Sequence, residues 1–406
     1  MRIKPFKGWR PPDARAHEVA SVPYDVVNTE EARTLAEGKP HSMLHVIRPE
    51  IDLPAEIDAH GTEAYAQAQS AFEGLIADGA LVQDDAPGFY LYAQTMGDHH
   101  QVGLVCLAHT EDYWAGRIKK HEHTRPDKED DRMRHIEAVG AHLGPVFLAY
   151  PKSEEVDALI SEIVATAPSV DYVAEDDVRH TLWPVFEDEA VAALGRAFNQ
   201  VPAFYVADGH HRTAAAGRLG RAHPGTAAEW FLTVLFPDDQ LQILDYNRVV
   251  ADLNGHEHFL SVLLETGNFL VTPLGQAEAP SARHVFSMCL GGDWYSVRPS
   301  KPDQLIDESD PVASLDVSVL QDHILEPLLG IDDPRTNTRI SFVGGIRGLA
   351  SLESAVKGQK AVAFALYPTS LGELMRIADA GEIMPPKSTW FEPKLRTGLV
   401  VHRWRD

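Results

Sequence analysis

The segment that most constrains the fold, residues 204–216, passes from a strand directly into a helix. Its first four residues are strand-prone or small, Asp208 and Gly209 predict a sharp turn, and helix formers follow as far as Leu219. A strand, a tight turn and a helix start leave free backbone N–H groups beside the positive end of the helix dipole. The segment therefore predicts a fold that mixes strands with helices, and a site for an anion.

The side chains at this helix start strengthen the prediction of an anion site. His210, His211 and Arg212 supply cationic or hydrogen-bond donor groups next to the turn. Phosphate is the natural ligand of such a site, and we expect these three residues and Gly209 to bind it. The alternative is an ordinary turn at Asp208, followed by two histidines that are satisfied surface groups.

Strands and helices alternate along the rest of the chain. Residues 63–77 carry an apolar stripe at helical spacing, and residues 89–94 and 101–107 predict a β-hairpin. Further helices are predicted at 127–142, 154–166, 186–197, 255–266, 315–329 and 370–380, and further strands at 229–236, 283–288, 293–297 and 361–366. This alternation predicts a mixed α/β (α+β) architecture.

The chain of 406 residues is long enough for two or three domains. We expect an N-terminal α+β region over residues 1–110 and a catalytic core over residues 111–250. The remaining residues, 251–406, are expected to form a C-terminal α/β region that contributes a substrate loop.

The charge of the chain argues against nucleic acid as a partner. Its formal net charge is −24 at pH 7, whereas nucleic-acid-binding surfaces are basic. Cys106 and Cys289 are its two cysteines, so neither a disulfide framework nor a cysteine-based zinc site is expected. We find no signal-peptide pattern and no apolar run of about 18 residues, so we expect a cytoplasmic protein that does not bind a membrane.

A second cluster, residues 119–126 with Arg117 just upstream, surrounds Glu122 with basic residues and two histidines. Such surroundings keep a carboxylate ionised, so Glu122 is a candidate general base. One alternative is a solvated charged loop before a helix. Another is a metal site built from the histidines of both clusters together with Asp208, although the helix pattern of zinc proteases is absent.

A third cluster lies near the C-terminus, where three prolines stiffen residues 385–393. Lys387, Ser388 and Thr389 offer an ammonium and two hydroxyl groups, a combination that holds a carboxylate or a phosphate. The alternative is a connecting loop whose aromatic residues pack on the core. The chain has no standard nucleotide-binding motif, so the phosphoryl donor could be a molecule that has no nucleobase.

Taken together and in this order, the three clusters resemble the free serine kinases of the ParB and sulfiredoxin superfamily. The matching segments are His121-Glu122, Asp208-Gly209-His210-His211-Arg212 and Pro386-Lys387-Ser388-Thr389. The chain is also similar from end to end to a bacterial domain-of-unknown-function family. It departs from the compact kinases in its greater length, and in Ser388, where they carry threonine. Trp390 and Phe391 replace a polar pair.

The resemblance implies a ParB/sulfiredoxin-like catalytic core and a phosphotransferase that converts free L-serine into O-phosphoserine. Glu122 would take the proton from the substrate hydroxyl, with Asp208 and His210 as further catalytic residues. Asp208 would orient a histidine or hold magnesium (Mg²⁺). The substrate-binding residues would be His121, Lys387, Ser388 and Thr389.

The expected phosphoryl donor is inorganic pyrophosphate, with ADP and ATP as alternatives. An alternative is a phosphohydrolase, either phosphoserine phosphatase-like or metal-dependent, in which the same site would transfer the phosphoryl group to water. A ParB-like nucleotide switch that binds DNA is a third interpretation, which the acidic charge disfavours. The expected partners are therefore small molecules, and the sequence leaves the oligomeric state open.

Overall fold

Residues 1–405 are described by the structure, a computed structural model in which helices and strands alternate. The helices are α1 (Ala16–Val19), α2 (Thr29–Ala36), α3 (Leu44–Ile47), α4 (Thr62–Ala77), α5 (Thr110–Trp114), α6 (Pro126–Val139), α7 (Glu154–Val164), α8 (Asp188–Asn199), α9 (His210–Ala222), α10 (Phe259–Glu265), α11 (Pro302–Leu305), α12 (Asp316–Leu320), α13 (Gly348–Val356) and α14 (Leu371–Ala380). The protein is therefore a mixed α/β protein, as the sequence predicts.

The strands are short at both ends of the chain and longer in its middle. They are β1 (Ile3–Lys4), β2 (Trp9–Arg10), β3 (Val82–Gln83), β4 (Phe89–Met96), β5 (His99–His109), β6 (Ile118–Lys119), β7 (Ala141–His142), β8 (Val146–Tyr150), β9 (Val170–Val173), β10 (Arg179–Val185), β11 (Phe204–Asp208), β12 (Trp230–Pro237), β13 (Gln242–Leu244), β14 (Tyr246–Val250), β15 (Phe269–Leu274), β16 (Phe286–Leu290), β17 (Asp293–Pro299), β18 (Ile340–Gly344), β19 (Val362–Ala365), β20 (Trp390–Glu392) and β21 (His402–Arg403).

The chain divides into two units by its internal contacts. The first unit contains residues 1–241 together with the C-terminal segment that begins at Pro393, and the second contains Gln242–Glu392. The predicted boundaries lie at residues 110 and 250, and strands from both sides of residue 110 share one sheet in the first unit. One of these pairings joins β5 to β12, antiparallel, within the first unit.

Among residues 1–241, nine strands form one sheet in the order β6-β11-β8-β12-β5-β4-β10-β9, with β1 paired to β5. β11 runs parallel to β6 and antiparallel to β8. The strands β8 and β12 are apolar along nearly their whole length because both faces of the sheet are covered. Helices α7 and α8 cover part of one face, where Val156, Leu194 and Phe198 join the core.

Helices α4, α6 and α9 position the segments that carry the candidate site. α6 begins with Pro126 in its first turn and ends at Gly140, which has a φ of 73°. Its Ile136 packs with Leu219 of α9 and with Trp404. At the other end, the backbone N–H of Arg125 donates to Nε2 of His211 at 3.1 Å, so the start of α6 lies beside the start of α9. The loop that precedes α6 therefore lies close to the residues that follow β11.

Residues 242–392 contain a separate antiparallel sheet of six strands, in the order β15-β17-β16-β19-β14-β18. Helix α13 packs on this sheet through the fully buried Leu352 and Val356. A two-stranded sheet, β13 with β20, belongs to the same unit. None of the helices between residues 1 and 405 is both long and apolar enough to cross a membrane.

Two buried histidines of the first unit predict a loss of stability in acid. His142 and His402 are partners in the pairing of β7 with β21, and their rings stack 5.8 Å apart. Burial lowers the pKa of His142 to about 3 and that of His402 to about 4. The unfolded chain, with histidine pKa values near 6.5, therefore binds protons that the folded chain excludes, and stability falls as the pH drops below about 6.5.

We expect His142→Leu to flatten this pH dependence, because it removes one of the excluded protonation sites. Between pH 7 and pH 3.5, the free energy of unfolding should fall less in the variant than in the wild type. The difference between the two losses should be on the order of a few kcal/mol. Thermal unfolding over this pH range measures the difference, and His123→Gln, at an exposed position, is the control. A slope unchanged by His142→Leu would contradict the prediction.

Candidate functional site

The parallel pairing of β6 with β11 brings the first two sequence clusters together. Ile118 lies opposite Phe204 and Lys119 opposite Tyr205, so both strands end at the same edge of the sheet. The backbone N–H of Phe204 also donates to the carbonyl of Arg117, at 3.1 Å. The residues after β6, including Glu122, therefore lie beside the turn and helix start that follow β11.

Gly209 forms the turn between β11 and α9. Its φ of 93° lies in the left-handed region, where a side chain is disfavoured. A Cβ atom at this position would lie 3.0 Å from Nε of Arg212. No side chain caps the start of this 13-residue helix, so its first backbone N–H groups have no side-chain acceptor from the N-cap residue.

Arg212 and Asp208 form an ion pair across this turn. Nη2 of Arg212 donates to Oδ2 of Asp208 at 2.9 Å, and Nη1 donates to the carbonyl of Pro145 at 2.6 Å. Burial opposes the charge of the guanidinium, but the carboxylates of Asp25 and Asp208 raise the pKa of Arg212 above its usual value. Arg212 is therefore a fixed cation whose orientation is set from two sides.

The three histidines of the site are held in their neutral forms. Burial lowers the pKa of His210 well below its ordinary value and that of His121 to about 4. Burial also lowers the pKa of His211, whose Nε2 accepts the backbone N–H of Arg125 at 3.1 Å. At neutral pH the histidines thus supply hydrogen bonds but no charge. The positive charge of the site comes from other residues, such as Arg212.

Glu122 lies at the solvent side of the buried histidines. Its Oε2 is 3.6 Å from Nδ1 of His210, and its side chain is 48% exposed, whereas that of His210 is 6% exposed. The rings of His121 and His210 meet edge to face, 4.4 Å apart. The carboxylate is therefore open to a small substrate and close to the helix start that would hold a phosphate.

The structure adds residues that the sequence analysis did not assign to the site. The charge of Asp25 acts on Arg212 and His211, and Tyr24 lines a cavity of about 40 Å³ beside Arg212. Burial raises the pKa of Tyr24 to about 12. Pro23 predicts a turn in this segment. The residues of the segment do not indicate which part of the protein it packs against.

The C-terminal segment of the first unit supplies a second cation near Asp208. Burial favours the neutral carboxyl, but the charges of Lys394 and Arg212 lower the pKa of Asp208 below its usual value. The backbone carbonyl of Lys394 accepts Nε2 of Gln94 at 2.9 Å, and Gln101 in turn donates to Gln94 at 3.0 Å. These two fully buried glutamines fix the backbone from which Lys394 extends.

The third sequence cluster belongs to the second unit. Oγ of Ser388 donates to the carbonyl of Pro385 at 2.6 Å, so this hydroxyl group stabilises its own loop. Lys387 is exposed and has a φ of 58°, which is unusual for a residue with a side chain. The participation of Lys387, Ser388 and Thr389 in substrate binding stays a prediction.

The predicted magnesium site depends on Asp208. Between residues 1 and 405 no group of three or more histidine, cysteine, aspartate or glutamate side chains is arranged to hold a metal ion. The alternative of a histidine-rich metal centre therefore has no ligand cluster among the described residues. A single partly exposed carboxylate fits the kind of magnesium site in which phosphate oxygens and water supply the other ligands.

The fold and the site define a mixed α/β protein in which the carboxylate of Glu122 faces the uncapped start of α9. The chain matches, over residues 3–318, the family described as "Protein of unknown function (DUF1015)", and it belongs to this family. A comparison with curated proteins returned no match.

The chain is also similar to several solved structures. A C-terminally truncated SbnI from Staphylococcus aureus is 16% identical, with 73% of this chain and 87% of that chain covered and a TM-score of 0.39. A free serine kinase variant in complex with AMP is 14% identical, with 73% and 91% covered and a TM-score of 0.35. A conserved hypothetical protein from Pyrococcus furiosus is 15% identical, with 73% and 95% covered and a TM-score of 0.33.

Proposed function

We propose that this protein is a phosphotransferase that phosphorylates the hydroxyl group of free L-serine to give O-phosphoserine. The observation that carries the proposal is the position of the Glu122 carboxylate, 3.6 Å from His210 at the start of α9. A helix start binds phosphate, and a carboxylate beside it accepts a proton from an attacking hydroxyl group. The proximity of this carboxylate to the helix start supports the proposal.

The helix start holds the donor phosphates in this proposal. The N–H groups that follow Gly209 point along the helix axis toward the phosphate, and Arg212 neutralises its negative charge. His210 and His211 add hydrogen bonds as neutral imidazoles. Phosphoryl transfer depends mainly on positioning and on charge stabilisation, which is what a preorganised cation with two anchored N–H groups provides.

Glu122 acts as the general base. As the serine oxygen forms its bond to phosphorus, the hydroxyl proton passes to Glu122, and the bond from phosphorus to the leaving phosphate oxygen breaks. The distance of 3.6 Å between Glu122 and His210 is longer than a hydrogen bond, and catalytic contacts of this kind commonly shorten when substrate binds. His121 supports the arrangement by packing its ring on His210.

Magnesium fits this site through Asp208. When bound, it would neutralise charge on the donor phosphates. Asp208 itself anchors Arg212 through the 2.9 Å ion pair, so it orients the phosphate-binding cation in either case. Lys387, Ser388 and Thr389 are proposed, from the sequence resemblance, to bind the carboxylate of the substrate or the transferred phosphate.

The experiment that tests the proposal is a donor comparison. We expect the purified protein with magnesium and L-serine to form O-phosphoserine when inorganic pyrophosphate is added. ADP and ATP are parallel arms, and product formed only with a nucleotide would overturn the preference for pyrophosphate. If no donor gives O-phosphoserine and the protein instead releases phosphate from O-phosphoserine, the protein is a phosphohydrolase and the proposed phosphotransferase activity is wrong.

A further inference from the structure

Tyr24 is an aromatic residue of the first unit that the proposed mechanism does not use. Its side chain and that of Arg212 line the same cavity, which has a volume of about 40 Å³. The next residue, Asp25, is exposed, and its charge acts on both Arg212 and His211. Two consecutive residues of the loop before α2 therefore lie beside the start of α9.

Two arginines hold Tyr24 in place. Cζ of Arg132, on α6, lies 4.0 Å from the centre of the Tyr24 ring, which is the geometry of a cation–π contact. The side chain of Arg132 is 12% exposed, so little water screens its charge from the ring. Nη1 of Arg48 donates to the backbone carbonyl of Tyr24 at 3.1 Å. Tyr24 is therefore fixed through its ring and through its backbone.

A buried carboxylate fixes Arg132 in turn. Asp131 is 7% exposed, and its Oδ2 accepts Nε of Arg132 at 2.9 Å. Its Oδ1 accepts the hydroxyl group of Tyr65 at 2.8 Å and lies 2.7 Å from Nδ1 of His60. Because both oxygens of this carboxylate are engaged, the guanidinium over the Tyr24 ring has little freedom to move.

The hydroxyl group of Tyr24 is a hydrogen-bond donor at neutral pH. Burial raises the pKa of Tyr24 to about 12, so the phenol keeps its proton. The charges of Arg212 and Asp208 both act on the phenol. Within residues 1–405, which the structure describes, no side chain or backbone group forms a hydrogen bond with this hydroxyl group. An unused donor near a fixed cation is suited to bind an oxygen of a phosphate.

We propose that the hydroxyl group of Tyr24 donates a hydrogen bond to an oxygen of the phosphate bound at Arg212, and that Arg132 is the positioning residue that holds the Tyr24 ring for this contact. Arg212 is already paired with Asp208 at 2.9 Å, so its charge is partly offset before a phosphate binds. A preorganised neutral donor adds stabilisation at the same place. The inference deepens the proposed function and rests on it for the identity of the anion.

Tyr24→Phe tests the contact, because it removes the hydroxyl group and keeps the ring under Arg132. Inorganic phosphate in one arm and inorganic pyrophosphate in the other are titrated into the full chain without magnesium. The ring signals of His211 in nuclear magnetic resonance spectra, assigned with a His211→Gln variant, report binding at the start of α9. We expect about tenfold weaker binding of the preferred probe, the effect of losing one hydrogen bond to a charged group, and an unchanged thermal midpoint.

The control for this variant is Tyr367→Phe, which removes the hydroxyl group of a residue of the second unit that is 41% exposed. It should leave the affinity for both probes unchanged. Wild-type affinity for both probes in Tyr24→Phe would overturn the proposal. So would a wild-type chain in which neither probe shifts the His211 signals.

A double-mutant cycle tests the positioning role of Arg132. We expect Arg132→Met to weaken binding of the probe about fivefold in the wild type and to have little further effect in the Tyr24→Phe background. If Arg132→Met does not fold, Arg132→Lys takes its place in the cycle, with an expected loss of about threefold in the wild type alone. An equal loss in both backgrounds would show that Arg132 does not act through the hydroxyl group of Tyr24.

These measurements separate the inference from the proposed function. Binding is read without turnover, so a chain that binds phosphate through Tyr24 but forms no O-phosphoserine contradicts the proposed function alone. If Tyr24→Phe forms O-phosphoserine with the wild-type rate and the wild-type KM for the donor, the inference alone is wrong.

Discussion

Glu122→Gln should leave the protein folded and lower the rate of serine phosphorylation by about 10²–10⁴-fold, the usual effect of removing a positioned acid or base. The amide is nearly the same size as the carboxylate but cannot accept the hydroxyl proton. The side chain is 48% exposed, so its replacement by an isosteric amide removes little from the folded state. Initial rates at saturating serine and donor measure the loss, and circular dichroism measures folding.

A matched control separates the loss of the base from a general loss of negative charge. Asp127→Asn removes an exposed carboxylate from the first turn of α6, close to the same loop, and should keep near-normal turnover. Glu122→Ala provides a second check, because added formate should restore part of its activity if the missing group is a proton acceptor. Near-normal turnover of Glu122→Gln would rule out Glu122 as the base.

Some regular segments of the fold are predicted from the sequence, whereas others, such as the strands β8 and β10, are not. The stripe at 63–77 forms α4, and the hairpin forms β4 and β5. The helix predicted over 127–142 ends at Val139, because Gly140 adopts a left-handed conformation and the next residues form β7. The prediction was wrong at that end because the glycine was read as part of a helical run.

The strand β14 was not predicted, because its buried polar residues hide the apolar pattern of a central strand. Asn247 is 1% exposed, and its Oδ1 accepts the backbone N–H of Leu366 at 3.0 Å. Arg248 is buried next to it. Each residue also bonds to a distant partner: Asn247 to Leu366, 119 residues away, and Arg248 to Pro386, 138 residues away. No local pattern could show that these polar groups are satisfied in this way.

The candidate site was predictable in its local parts and not in its assembly. The free helix start after Gly209 follows from the strand, turn and helix in one segment. The approach of Glu122 to that helix start depends on β6, a strand of two residues that no periodicity reveals. The neutral state of His121 and His210 follows from burial, which is a property of the whole fold. Asp25 acts on Arg212 and Lys394 acts on Asp208. These two charged residues come from opposite ends of the chain, so only the whole fold brings them to the site.

Gly209→Ala should reduce turnover by about 10²-fold, because a small displacement of a positioning group is enough to misalign the reactants. The new Cβ would lie 3.0 Å from Nε and 3.1 Å from Cζ of Arg212, so the guanidinium has to move. That movement strains its hydrogen bonds to Pro145 and Asp208, which fix the orientation of the cation that we propose to bind the donor phosphate. Steady-state rates and thermal unfolding of the same variant measure the two consequences.

Gly225→Ala is the control that isolates the effect of Arg212. Gly225 also has a positive φ, 76°, but a Cβ atom there would have nothing within 4 Å. Both variants should lose about 1–2 kcal/mol of stability from the left-handed backbone. Turnover should fall in Gly209→Ala alone, since the shared backbone strain cancels in the comparison. Equal turnover in the two variants would mean that the orientation of Arg212 does not limit phosphoryl transfer, and the role of the helix start would then reduce to its backbone N–H groups.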